Sequence, residues 1–107
     1  MIRKGLGLAA CLLLLAAAAP AQKLFLWGDV NWQSGVPANG LEIRLLKGTN
    51  IRARAYTNPA GRYAFFDQAG APAEYILQVV SAGKLLKQVP VGPQIGIGGR
   101  VANIVVP

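Results

Sequence analysis

From residue 22 onward the chain runs in short stretches where apolar and polar residues alternate, punctuated by Gly, Pro and Asn. Leu41, Ile43 and Leu45 alternate with Glu42 and Arg44, and Ile51, Ala53 and Ala55 alternate with Arg52, Arg54 and Tyr56. A period of two puts each set on one face of a strand. No window keeps a 3.6-residue apolar period for the roughly ten residues a helix needs. The pattern predicts seven strands, near residues 23–32, 41–47, 51–57, 62–67, 74–81, 84–90 and 100–106. The fold class that follows is all-β, a seven-stranded antiparallel Greek-key β-sandwich. A single open sheet would leave one face of so apolar a chain in water.

The turns agree with this spacing. Gly48-Thr49-Asn50 can join the second and third strands, Asn58-Pro59-Ala60-Gly61 the third and fourth, and Ala82-Gly83 the fifth and sixth. Proline presets φ in the second position of a turn, and glycine supplies positive φ where a turn must close. Two longer loops, residues 33–40 and 91–99, are expected to be mobile. Tyr63 and Phe65 pair with Tyr75, Leu77 and Val79 as the expected centre of the core. On that parity Phe66, Ile76, Val80, Leu86, Ile104 and Val106 point outward. So large an apolar load calls either for a covering partner or for bulges that switch the parity.

Ahead of the domain, Arg3 and Lys4 precede an apolar run over residues 6–19 that ends in Ala19-Pro20-Ala21. Basic, apolar and small-x-small segments in that order make up an export signal, so residues 1–21 read as a helical signal peptide and residues 22–107 as one domain. The run is shorter than the about 20 residues a membrane-spanning helix needs, which argues against a stable transmembrane anchor. Leu8-Ala9-Ala10-Cys11 also has the form of a lipoprotein cleavage box, but cutting there would leave Leu12 to Ala19 as an apolar start to the mature chain. The short Leu/Ala-rich leader points to a bacterial periplasm or to the exterior.

Composition narrows the function classes. Of 107 residues, 11 are Lys or Arg and 4 are Asp or Glu, with no His and one Cys. Arg3, Lys4 and Cys11 fall in the leader, so residues 22–107 carry a formal charge of +5 without Cys or His. Such a chain lacks the usual parts of metal sites, nucleophilic triads and acid/base pairs, so the expectation is no enzyme, no metal and no cofactor. Asp29 and Asp67 could meet across strands, but two acids are too few to predict a calcium site. Gly96-Ile97-Gly98-Gly99-Arg100 lacks the spacing of a phosphate loop and leads into a strand.

From Val36-Pro37 through Gly40-Leu41-Glu42-Ile43, Ala55-Tyr56-Thr57-Asn58-Pro59-Ala60-Gly61-Arg62-Tyr63-Ala64-Phe65 and Glu74-Tyr75-Ile76-Leu77-Gln78-Val79, the mature chain resembles the carboxypeptidase regulatory-like domains. Thr57, Gly61, Tyr63, Phe65, Tyr75, Leu77 and Val79 carry the likeness. The resemblance implies a transthyretin-like (prealbumin-like, Ig-like) β-sandwich that works as an exported accessory module and specifies no reaction. Where such domains usually place an acid, this chain has Asn58.

Two sets of residues are candidates for binding. Arg44, Arg52 and Arg54 project from neighbouring strands, with Lys47 at the end of that hairpin and only Glu42 as an acid beside them. Together with Tyr56 and Phe66 they form the expected partner surface, an apolar centre flanked by charge. The occupant would be an envelope or extracellular protein, including a second copy of this chain. A phospholipid or lipopolysaccharide surface is a further candidate, and nucleic acid is excluded by compartment and by the lack of an aromatic-studded strand. The reading is an exported non-catalytic module for protein–protein interaction or envelope structure. The alternative is a carbohydrate-binding module using Trp27 or Trp32 with Tyr56, since five residues apart the two indoles lie on opposite faces of a regular strand.

Overall fold

The computed structural model describes residues 22–107; the leader reading falls on residues outside that range. Among the described residues the chain is all-β, with strands β1 (Leu24–Trp32), β2 (Glu42–Lys47), β3 (Asn50–Tyr56), β4 (Arg62–Phe66), β5 (Ile76–Ser81), β6 (Lys84–Pro90), β7 (Gly99–Arg100) and β8 (Ile104–Val106). One sheet has the order β4-β1-β7, with β8 also on β1, and the other has the order β3-β2-β5-β6. A single 3-10 turn, Pro72–Glu74, precedes β5, so that strand begins at Ile76 and not at Glu74.

Two expectations about the last strand are corrected. It is broken into β7 and β8, and both pair with β1 in parallel, at Leu26↔Gly99 and Trp27↔Arg100 and then at Val30↔Ile104 and Trp32↔Val106. The first sheet is therefore mixed. The break also reverses the predicted facing, because Ile104 and Val106 are buried in the core while Val105 faces out.

The core is one cluster between the sheets. It includes Phe25, Leu26 and Val30 of β1, Ile43 and Leu45 of β2, Tyr63 and Phe65 of β4, and Leu77 and Val79 of β5. Tyr63, Phe65, Tyr75, Leu77 and Val79 all face inward, as their alternation requires. Bulges account for the departures from it. At Phe25 the β1–β4 register slips by one, so consecutive Phe25 and Leu26 are both buried. A slip at Arg52 in β3 turns Ile51, expected inside, to 37% exposure. A third slip, at Leu86 in β6, lets that side chain pack against the core. Val80, expected outside, is buried, though apart from the main cluster.

The hairpin turns behave as their residues dictate. Ala82 and Gly83 both take positive φ and close β5 onto β6. Asn58 Oδ1 accepts from the amides of Ala60 and Arg62 at 3.0 Å each, an Asx turn. Gly61 then takes φ +78 with its amide on Asn58 O at 2.8 Å. Thr57 is buried, and its Oγ1 accepts from Leu41 N at 2.9 Å, tying the entry of β2 to the exit of β3. The 91–99 loop lies along β1, where Gly98 N donates to Phe25 O at 2.7 Å.

Among the described residues, one buried side-chain polar atom has no hydrogen-bond partner within the protein. The Tyr63 hydroxyl is buried without a hydrogen-bond partner, in space left by the missing side chain of Gly28. Burial, and then the charge of Asp29, pushes its pKa above the ordinary tyrosine range, so it stays protonated. An orphaned buried hydroxyl costs about 1–3 kcal/mol. Tyr63→Phe keeps the ring and removes that cost, so thermal unfolding is expected to show stabilisation by about 1 kcal/mol.

Candidate functional site

The predicted arginine set is only partly assembled as expected. Arg44 and Arg54 face each other across β2 and β3. Glu42 sits between them, with Oε2 2.8 Å from Arg44 Nε and 3.2 Å from Arg54 Nε. The hydrogen bond from Arg44 holds the Glu42 carboxyl below the usual carboxylate range despite some desolvation, with both arginine charges adding to the effect. Lys47 is drawn to Glu74, 3.2 Å away, and does not extend the patch. Among the described residues Arg52 makes no ion pair. Phe66 is exposed at 38%, but on the other sheet beside Leu24, apart from the arginine row. The apolar centre flanked by arginines therefore does not exist as one surface: charge and Phe66 lie on different layers.

What the fold does bring together is a cleft of about 270 Å³ between the edges of the two sheets. Its walls come from Ala55, Tyr56 and Asn58 at the end of β3, from Arg62, Tyr63 and Ala64 of β4, and from Trp27 of β1. The gap has a local cause: β3 and β4 leave the Asn58 turn into different sheets, and Ala55 and Ala64, which both line it, have side chains too small to fill it. Tyr56 is 65% exposed, the most exposed large apolar side chain among the described residues.

Trp27 is outward, as the five-residue spacing allows for one of the two indoles, and Trp32 packs against the core. The register places Arg100 beside Trp27 and Arg62 beside Asp29. Both guanidiniums then meet over the indole, at 5.6 Å for Arg62 and 5.2 Å for Arg100 from the ring centroid. Asp29 closes the cluster, with Oδ1 on Arg62 Nε at 3.0 Å and Oδ2 on Arg100 at 2.6 Å. Trp27 is thus covered by two cations, and Tyr56 supplies the uncovered ring. Nothing in the residue spacing pointed to this cluster, since Asp29 and Arg100 lie 71 positions apart; a basic residue at the start of the last strand was its one trace.

Burial works to raise the Asp29 pKa, but the bonds from Arg100 and Arg62 outweigh it and leave the carboxyl below its ordinary value of 3.8. A depressed folded-state pKa stabilises the native state at neutral pH, and that contribution is lost as the pH falls from the ordinary value through the folded one. Urea midpoints at pH 7 and pH 3 should therefore differ less in Asp29→Asn than in the parent chain. Glu42 and Glu74 are also depressed and will keep part of the difference in both proteins.

Asp67 does not join Asp29. It accepts from Lys23 N at 2.9 Å at the other end of the β1–β4 pair, and the described residues contain no group of three metal-binding side chains. No helix among them is long and apolar enough to cross a membrane. No protein-family model matches this chain, and no curated protein matches it either.

Proposed function

We propose that this chain is an exported, non-catalytic binding module of the transthyretin-like, carboxypeptidase regulatory-like kind, with Greek-key connections, that serves protein–protein interaction in a bacterial periplasm or outside the cell. The observation that carries the reading is Tyr56: a large aromatic held in the open at the rim of a cleft, next to Arg52 and Arg54. Aromatic and arginine side chains are the residue types that dominate interface energies, and an exposed ring over a gap is a ready anchor. The contact surface is accordingly the β3 side of the domain, without Phe66.

A crosslinked pull-down from the native envelope, using the tagged full-length gene product, tests this. A specific protein should be recovered with the parent chain and with Phe66→Ala, and lost with Tyr56→Ala and with the Arg52→Ala/Arg54→Ala pair. The second reading, a carbohydrate-binding module, is favoured by the presence of Trp27 and Tyr56 in one cleft. Stacking on Trp27 would have to displace Arg62 or Arg100, so a sugar would rest mainly on Tyr56. Oligosaccharide binding abolished by Tyr56→Ala, with no protein recovered, would replace the first reading by the second.

A further inference from the structure

We propose that the partner docks as an extended, acidic segment that adds to the free edge of β3 and lays an apolar side chain in the cleft beside Tyr56. The inference rests on the protein-binding reading and gives it a geometry and a partner chemistry.

The backbone points to β3 first. Among the described residues this strand pairs with β2 on one side and with no strand on the other. Thr57 N donates to Leu41 O at 2.9 Å, which sets the phase of the β2–β3 ladder. Hydrogen-bonded and non-bonded pairs alternate along an antiparallel ladder, so Ala55 and Ala53 face β2, whereas the N–H and C=O of Arg54 and Tyr56 turn to the open edge. Those are the groups an added strand would use.

The other edge of the same sheet is guarded. On β6, Lys84 and Lys87 flank a bulge at Leu86, Pro90 has no amide to donate, and Lys87 Nζ is drawn across to Val105 O at 3.0 Å. Lysine, proline and bulges are the usual means by which edges resist pairing. In the first sheet the β7–β8 side is broken at residues 101–103. Of the long edges in the second sheet, β3 alone has an open cleft alongside it.

Charge then selects the occupant. Arg52, Arg54 and Arg62 flank this edge and no acid lines the cleft. Arg54 and Arg62 each turn Nε to their own acids, Glu42 and Asp29, and each guanidinium has two further nitrogens to offer. A second copy of β3 laid antiparallel would bring arginine against arginine, so the edge repels its own kind and favours a strand carrying Asp or Glu at alternate positions. Ala55 and Ala64 leave the space for the one apolar side chain on the opposite parity.

Phage-displayed random dodecapeptides, selected on the folded protein and followed by amide NMR, test the proposal. The expected result is enrichment of acidic, alternating peptides that slow hydrogen exchange at the amides of Arg54 and Tyr56. The Arg54 amide faces away from β2, so Arg54→Pro removes an edge donor without removing a ladder bond. It should weaken the selected peptide by about tenfold or more, and Arg54→Gln, which removes only the charge, by less. If Arg54→Pro does not fold, the exchange data on the parent and the Gln variant still decide. Peptides that bind without slowing Arg54 and Tyr56 would overturn strand addition and leave protein binding standing. Enriched peptides without acids would overturn the charge argument. If no peptide is enriched while oligosaccharides shift the Tyr56 resonances, both this proposal and the protein-binding reading fall.

Discussion

Gly61→Ala is expected to lower stability by about 3 kcal/mol, far more than its single methyl group suggests. Two effects combine at this position. The backbone sits at φ +78, where an L side chain meets its own carbonyl at a cost of about 1–2 kcal/mol. The added Cβ would also lie 2.5 Å from Val30 O and 3.2 Å from Ala38 N, and neither is a flexible side-chain end. Val30 O accepts from Ala38 N, and Val30 N donates to Gly61 O, so any shift strains the junction of β1, the 37–38 segment and the start of β4 together. With an m-value of about 1 kcal/mol/M for a domain this small, the urea midpoint should fall by about 3 M. Gly48→Ala is the matched control: φ is +63, but nothing lies within 4 Å of the added methyl, and a loss of about 1 kcal/mol is expected. Equal losses in the two variants would show that the Val30 contact contributes nothing.

Phe25→Ala should be more damaging still, by about 3–5 kcal/mol. The ring is almost wholly buried and meets Tyr75 edge-on, with centroids 5.3 Å apart and planes at 78°. A domain of this size hides only roughly 60–65% of its unfolded surface and, with no disulfide among residues 22–107, depends on that burial. Its total stability belongs near the lower end of the usual range of about 5–15 kcal/mol, so removing Phe25 takes away most of the margin. At about 4–8 °C per kcal/mol the melting temperature should drop by at least about 12 °C, or the cooperative transition should vanish. Phe66→Ala, on the half-exposed outer face of β4, should cost about 1 kcal/mol or less. Leu26→Ala, also at a wholly buried side chain, should cost about 2–5 kcal/mol as well; large losses at both neighbours mark the β1 bulge, because regular alternation would turn either Phe25 or Leu26 to solvent.

Much of the fold could be read from local pattern because local physics sets it. Alternation in residues 41–45 and 62–65 assigned the inner face correctly, since a strand has two faces and water selects between them. Asn58 and Gly61 announced their turn because Asx hydrogen bonding and positive φ are properties of those residues alone. Most departures share one cause. Ile51, Leu86, Ile104 and Val106 lie at or beyond a bulge or a break that resets the count in twos, whereas Val80, on the regular strand β5, is buried opposite the β6 bulge. A bulge is fixed by how two strands must meet, which one strand's composition does not record.

The candidate site divides the same way. Exposed Tyr56 and the outward arginines of β2 and β3 followed from parity. That Glu42 would bridge Arg44 and Arg54, that Phe66 would lie on the other sheet, and that Arg62, Asp29 and Arg100 would converge over Trp27 did not. By itself the sequence determined an all-β chain, its turns, most of its inward residues, its positive charge and the lack of His and Cys among residues 22–107, because these depend on residue type and near neighbours. Only the tertiary structure decided the parallel docking of the C-terminal strands, the open edge of β3 and the cleft beside Tyr56. Those features depend on which strands come together across the chain, and that choice is made by packing the whole core at once.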